Sequence, residues 1–296
     1  GDRTRTFLKV QDGCDNRCSY CTVPLARGRS RNPAISQVVA EASEIVSSGV
    51  REIVLTGVNV GDFGKSTGET LEQLLRALVR VEGLERLRLS SIEPDLLTDG
   101  IIDLVAQERM IMPHFHMPLQ SGSDRILGLM RRRYRRELFR DRLMAVRKKI
   151  PDAGIGADVI VGFPGETGDD FEETLSFLED LPFSYLHVFA FSPRPGTPAA
   201  EMSDFIARSV KEQRSRQLIR LSESRRMLFM QNATGSLQEV LFEKKSADGM
   251  VAGLTGNYIR VVTPYRGGLP GTVQTVKLTA VRDDASMNGV VIGKEE

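Results

Sequence analysis

Cysteine is nearly missing from this chain of 296 residues: there are three, Cys14, Cys18 and Cys21 in the run GCDNRCSYC, and none follows. So small and odd a number excludes a disulfide framework and reads as a reduced, cytoplasmic protein. Charge of one sign is not in excess either, at a formal net of +1, so no global field draws in a polyanion. Histidine is limited to His114, His116 and His187. All three fall on strand-like stretches and read as satisfied interior groups rather than ligands. No apolar run approaches the ~20 residues needed to cross a bilayer, and no low-complexity tract or close repeat breaks the chain. Membrane insertion is set aside.

What is present begins with those three thiols. Three thiolates on a short loop can ligate three irons of a cubane cluster and leave the fourth iron open to a small molecule. Structural zinc usually takes four closed ligands from paired C-x2-C units, and the second pair is missing, so the spacing favours iron and sulfide.

Strand-like and helix-like stretches alternate from FLKV, residues 7 to 10, to the long helix that follows YLHVFAF, residues 185 to 191. Between them come a helix from Ser36 to Ser48, a strand at 51–57, and a helix from Thr70 to Arg80 with Leu71, Leu74, Leu75 and Leu78 on one face. LRLS with a helix after Pro94, HFHM with basic helices, and ADVIVG with a helix from Asp169 to Asp180 continue the series. Strand and helix in strict turn imply parallel strands with helical crossovers. The expected fold is α/β, a partial (β/α)6 TIM-like barrel over residues 1–231. After about Ala207 the chain becomes a basic amphipathic helix. Five short strand candidates then follow, LQEVLFEKK, GMVAGLTG, YIRVVTP, GTVQTVKLTAV and GVVIG, which predict a small all-β, OB-like barrel over 232–296.

In such barrels the βα loops at the C-terminal strand ends carry the site. The polar motifs fall there: the cysteines, Thr56 to Asn59, Ser90 to Glu93, Gln120 to Ser123, and Gly162 to Glu166. Between Arg131 and Lys149 ten basic residues face only Glu137 and Asp141, the pattern of a solvated face or an RNA contact. In the tail, Lys244, Lys245, Tyr258, Arg260, Tyr265 and Arg266 combine cations with aromatics, which suits phosphates and stacked bases; a stabilising cap on the barrel is the plainer alternative.

Six strings in order, QDGCDNRCSYCTVPLARGRSRN, LTGVNVGDFG, LRLSSIEPDLL, MPLQSGSDRIL, IVGFPGE and FSPRPGTPAA, resemble the radical S-adenosylmethionine (SAM) methylthiotransferases, from Phe7 onward. The resemblance implies a radical SAM barrel followed by a TRAM domain that grips tRNA. It implies a 4Fe-4S cluster on Cys14, Cys18 and Cys21, SAM chelating the open iron, and Tyr20 as the aromatic residue before the last cysteine. Gly57 and Asn59 take the place of the glycine-rich methionine clamp, or form an ordinary strand-ending turn. Glu93 is placed to bind a ribose hydroxyl, or only starts a helix before Pro94. Gln120 and Ser121 suit hydrogen bonds to adenosine or substrate, though a serine here can also cap the next helix. Arg132 is placed to pair with the cofactor carboxylate, and Asp158 to orient a rim group or pair with a nearby arginine.

The resemblance further implies methylthiolation of threonylcarbamoyladenosine in tRNA. Isopentenyladenosine in tRNA and a ribosomal-protein aspartate are the substrates of sister enzymes. A reductant such as flavodoxin or ferredoxin is expected, with no signal for the sulfur donor. Family members carry an N-terminal domain whose three further cysteines hold an auxiliary 4Fe-4S cluster. Cys14 lies close to Gly1, so the chain is expected to be a fragment lacking that domain. A noncatalytic RNA-binding module with a structural metal is the reading from another class.

Overall fold

The computed structural model describes residues 4–245 and 249–292, the side chains of Lys244 and Lys245 excepted. The expected RNA contacts at those two lysines therefore lie outside the described residues. The alternation read from sequence becomes six parallel strands: β1 (Arg5–Lys9), β2 (Glu52–Thr56), β3 (Arg86–Leu89), β4 (His114–Gln120), β5 (Gly154–Val161) and β6 (Tyr185–Ala190). They pair in chain order as two three-stranded sheets. Single parallel bridges, Leu87 with Ile111 and Ser91 with His116, carry the wall from β3 to β4. No pairing joins β6 to β1 among the described residues, so the barrel is open on one side.

The outer layer is formed by α1 (Val23–Arg27), α2 (Ile35–Ser47), α3 (Leu71–Leu78), α4 (Asp99–Gln107), α5 (Asp124–Leu129), α6 (Arg136–Lys149), α7 (Gly168–Glu179) and the long α8 (Arg208–Ala233). Helix α3 shows why these segments fold where they do. Thr70 and Gln73 close a reciprocal capping box, and Leu71, Leu74, Leu75 and Leu78 are all buried. The helix expected after Pro94 begins at Asp99. Pro94–Leu96 make only a 3-10 turn, and Thr98 caps α4 by accepting from Ile101 N.

Alternation along the strands divides the barrel into two environments. Ile53, Leu55, Leu87, Leu89, Phe115, Met117 and Ile155 point outward into the helical layer, where they join Leu74, Leu78, Phe139 and Leu143 in one core. The other face turns polar residues into the lumen: Thr56, Arg88, Ser90, His114, His116, Tyr185 and His187 line a cavity of about 380 Å³. The histidines are thus lumen residues, not members of the apolar core.

Beyond α8, strands β7 (Leu237–Lys245), β8 (Met250–Thr255), β9 (Arg260–Pro264), β10 (Val273–Val281) and β11 (Met287–Val291) close a barrel in the order β10-β11-β9-β8-β7. The last strand starts two residues before the apolar run GVVIG, because inward alternation begins at the fully buried Met287. This module docks against the N-terminal ends of β2 and β3. Buried Glu52 lies 2.9 Å from Nε of both Arg86 and Arg88. Arg86 donates to the carbonyl of Leu254, and Arg88 to those of Thr255 and Gly256, at 2.8–3.2 Å. Burial works to raise the Glu52 carboxyl, but Arg88 and Arg86 outweigh it and hold the group below the usual carboxylate range. Tyr258, with a left-handed φ of 75°, stacks on His114 at 4.5 Å and lies under Arg88 at 4.9 Å. Tyr258, expected to meet RNA, is 41% exposed and also lines the lumen.

Candidate functional site

The loop from Val10 to Thr22 rises from the C-terminal end of β1 and is fixed from below by Gln11. Its amide donates to the carbonyl of Gly13 at 2.7 Å and to Ser30 Oγ at 2.9 Å, while its Oε1 accepts from Asn59 N at 2.9 Å. Gly57 makes room for this brace: a Cβ there would lie 2.9 Å from Gln11 Oε1 and 3.0 Å from its backbone oxygen. Gly13, at φ 71°, lets the loop close on Arg29, whose carbonyl would stand 2.0 Å from a Cβ. Ser19 ties the far side down, donating through Oγ to Leu129 O at 2.8 Å and through N to Met130 O at 3.0 Å.

Each of the three sulfurs accepts an N–H: Cys14 from Asn16 N at 3.4 Å, Cys21 from Val23 N at 3.5 Å and Cys18 from Arg132 Nη1 at 3.2 Å. A single tetrahedral ion with ~2.3 Å bonds would gather its sulfurs to about 3.8 Å. Among the described residues, however, only His116, Asp158 and His187 form a trio of ligand atoms within 4.8 Å of one another. The three cysteine sulfurs are not all drawn within that distance of one another, and the N–H groups aimed at them are of the kind that tunes cluster potential. Three thiols on one short loop, each accepting an N–H, fit a cubane cluster.

Arg132 stands at the centre of the rim. Helix α5 ends with Arg131 in the left-handed region, φ 57°, and Arg132 N bonds back to Leu127 O at 2.9 Å, a Schellman-type closure that turns the next side chain inward. Its guanidinium meets Cys18, the Tyr20 hydroxyl at 3.3 Å, the Tyr134 hydroxyl at 3.0 Å and the Glu93 carboxylate. Burial opposes its charge, yet Tyr134, Tyr20, Glu93 and Cys18 keep it firmly protonated. Tyr134 bonds in turn to the carbonyls of Pro118 and Leu119, anchoring the cluster to the end of β4.

Of the residues marked in the sequence, Tyr20, Glu93 and Arg132 thus converge on Cys18. Asn59 is 4% exposed, and both polar atoms of its side-chain amide lack a partner, a costly state that a bound polar group would relieve. Gln120 is buried at φ 70° where β4 leaves its register with β5. Ser121 is turned aside: its hydroxyl meets Thr174 on α7 at 3.3 Å and accepts from Ser123 N, bracing the loop. Asp158 faces the lumen, 3.0 Å from His116 Nε2, and pairs with no arginine among the described residues. Gln11 and Tyr134 had no sequence signal beyond their places beside the cysteine loop and Arg132.

The basic stretch is less free than its charge count suggests. Arg133 pairs with Asp95, Arg135 with Asp124, Arg136 with Glu173, Arg142 with Asp99 and Lys149 with Asp103. On the β module, Arg260, Tyr265 and Arg266 are exposed.

An open parallel barrel with three cysteines on the loop after its first strand defines a class. A family profile described as the Radical SAM superfamily matches residues 8–178, and the chain belongs to that superfamily, which implies a 4Fe-4S cluster and SAM. More particularly, the chain is 41% identical over 285 residues to threonylcarbamoyladenosine tRNA methylthiotransferase MtaB of Bacillus subtilis (strain 168), spanning 94% of this chain and 63% of that protein. It is 44% identical over 237 residues to tRNA-2-methylthio-N(6)-dimethylallyladenosine synthase of Kineococcus radiotolerans, covering 79% and 46%. Among solved structures, coproporphyrinogen III oxidase (HemN) from Escherichia coli aligns with a TM-score of 0.57 at 15% identity over 86% of this chain and 67% of that one, a likeness of fold alone.

Proposed function

We propose that this chain is the radical-generating and RNA-binding part of a tRNA methylthiotransferase that places a methylthio group on carbon 2 of N6-threonylcarbamoyladenosine beside the anticodon. The observation that carries this reading is the 41% identity to the Bacillus subtilis relative, which extends over 94% of the chain and so through barrel and β module alike. The Kineococcus relative, named for dimethylallyladenosine, supports a second reading with the same chemistry and an apolar substrate.

In this account residues 1–231 form the radical SAM barrel and 232–296 a TRAM domain. Cys14, Cys18 and Cys21 would hold the cluster. When bound, the cluster with SAM supplies one-electron cleavage to a 5'-deoxyadenosyl radical. The protein's part is to place and shield. Asn59 would meet the amino group of SAM, with Gly57 allowing the Gln11 brace that fixes it. Arg132 would draw the carboxylate in while its donation to Cys18 keeps the sulfur in place. Glu93 holds Arg132 and would take a ribose hydroxyl. Tyr20 and Gln120 would close the pocket edge, Ser121 fixes the loop beneath, and Asp158 faces substrate.

One SAM would donate methyl and a second would make the radical. An auxiliary 4Fe-4S cluster on residues outside this chain would carry sulfur, and a reductant such as flavodoxin or ferredoxin would deliver the electron. Among the described residues no helix is long and apolar enough to cross a membrane, and a tRNA substrate suits a cytoplasmic enzyme. Mass spectrometry of tRNA nucleosides from a strain lacking the gene tests the reading. Loss of 2-methylthio-threonylcarbamoyladenosine, with its unthiolated parent accumulating, is expected; an unchanged level would overturn it.

A further inference from the structure

The lumen beneath the rim has no part in holding the cluster, yet it is lined with polar groups that lack partners. Among the described residues, Ser90 Oγ, His114 Nδ1 and His116 Nε2 each lie buried without a hydrogen-bond partner, and all three residues border the same 380 Å³ cavity. His116 is tied through Nδ1 to Ser91 Oγ at 2.6 Å. That contact fixes the ring and turns Nε2 toward the lumen, where Asp158 Oδ1 lies 3.0 Å away but out of hydrogen-bonding line. His187 stands exposed on the same wall, and Arg226 enters from α8 with one nitrogen on Ala285 O. Tyr258 lines the cavity from the β module.

We propose that this lumen binds the N6 substituent of the substrate adenosine and selects one that is polar and carries a carboxylate. The inference rests on the tRNA methylthiotransferase reading and settles which of its two substrates the chamber fits. On the adenine ring C2 and C6 are meta to each other, so their exocyclic bonds diverge and a base offering C2 to the rim can carry its N6 substituent toward the lumen. A threonylcarbamoyl group brings ureido, hydroxyl and carboxylate functions. Its carboxylate would meet Arg226 and His187, while its hydroxyl and ureido groups would satisfy Ser90, His114, His116 and Asp158. A dimethylallyl group offers neither donor nor acceptor. It would displace water from these atoms and leave them unpaired, at about 1–3 kcal/mol each. Sites built from polar groups reject analogues lacking them far more strongly than apolar sites reject an added hydroxyl.

The test measures binding of the cluster-loaded chain to three anticodon stem-loops that differ only at one adenosine: threonylcarbamoyl, dimethylallyl or unmodified. Fluorescence anisotropy supplies a readout independent of turnover. The expected result is at least a tenfold preference for the threonylcarbamoyl loop, reduced severalfold by His187→Gln and by Ser90→Ala, with affinity for the unmodified loop unchanged. His187 is exposed, so its variant should fold; circular dichroism of both variants checks this. Equal binding of all three loops, or a preference for dimethylallyl, overturns the inference while leaving tRNA methylthiolation standing. Failure to bind any loop overturns both. Stoichiometric zinc binding by a Cys14→Ala, Cys18→Ala, Cys21→Ala chain, abolished by His187→Gln, would reassign His116, Asp158 and His187 to a metal and also overturn it.

Discussion

Arg132 and Arg88 are both buried and both paired with a glutamate, one at the rim of the barrel and the other near its floor. Arg88 commits every nitrogen: Nε and Nη2 to Glu52, Nη1 to Gly256 O, and Nη2 also to Thr255 O. All its partners belong to the fold, and what it achieves is the docking of the β module. Arg132 keeps Nε without a partner and directs Nη1 at a cysteine sulfur. Its glutamate fixes the guanidinium but does not saturate it. A buried arginine that is fully satisfied by backbone carbonyls is structural; one left with an open donor beside a reactive group is poised for a ligand.

Substitutions can sharpen that contrast. The largest effect on stability is expected at the floor. Glu52→Leu leaves Arg86 and Arg88 buried without their anion, and breaking such a cluster costs about 3–5 kcal/mol. Denaturant midpoints should fall accordingly, while the iron content of the chain that remains folded is unchanged. At the rim, Arg132→Met should act on function first. It removes the donor to Cys18 and leaves Glu93 unpaired, and SAM affinity measured by equilibrium dialysis should drop at least tenfold. If Arg132→Met lowered stability but left SAM binding intact, the two arginines would be equivalent and the comparison would fail.

Gly57→Ala is the next largest, because its Cβ would press on Gln11. Overpacking of this kind costs about 1–3 kcal/mol, and here it should also loosen the cysteine loop, seen as faster loss of the cluster's visible absorbance in air. Asn59→Ala separates binding from folding. The Asn59 amide is unpaired in the free protein, so thermal stability should hold or rise while SAM binding weakens by about 1 kcal/mol, the worth of a typical hydrogen bond. A loss of stability with no loss of binding would show that Asn59 belongs to the fold. The smallest effect lies on the RNA side. Arg260→Ala should reduce the salt slope of tRNA binding by about one counterion, whereas Arg142→Ala, already paired with Asp99, should leave the slope alone.

The cysteine loop and the order of strands were legible because both are local patterns: thiol spacing, and a hydrophobic period that switches between strand and helix. Arg132 and Glu93 were legible only through resemblance, since nothing local says that residues so far apart in sequence meet beside Cys18. His114 and His116 were legible as interior residues but not as lining a cavity, for a physical reason. Period-two alternation correctly puts His114, His116 and His187 on one strand face, but an inner face reads as core only when the barrel is filled, and this one holds a cavity. The basic stretch was legible as a solvated face, but its pairing was not. Counting charges along the chain cannot reveal that Asp95, Asp99, Asp103, Asp124 and Glu173 from neighbouring elements neutralise much of it. Gln11, which braces both the cysteine loop and Asn59, carried no pattern at all.

The central claim is that this barrel, with its three cysteines, builds a working radical site. Anaerobic reconstitution with iron and sulfide, followed by dithionite and SAM, tests it most directly, with 5'-deoxyadenosine quantified by mass spectrometry alongside the Cys18→Ala chain. Product is expected from the native chain and none from the variant. A native chain that carries its full cluster yet yields no 5'-deoxyadenosine, or a Cys18→Ala chain that yields as much as the native one, would contradict it.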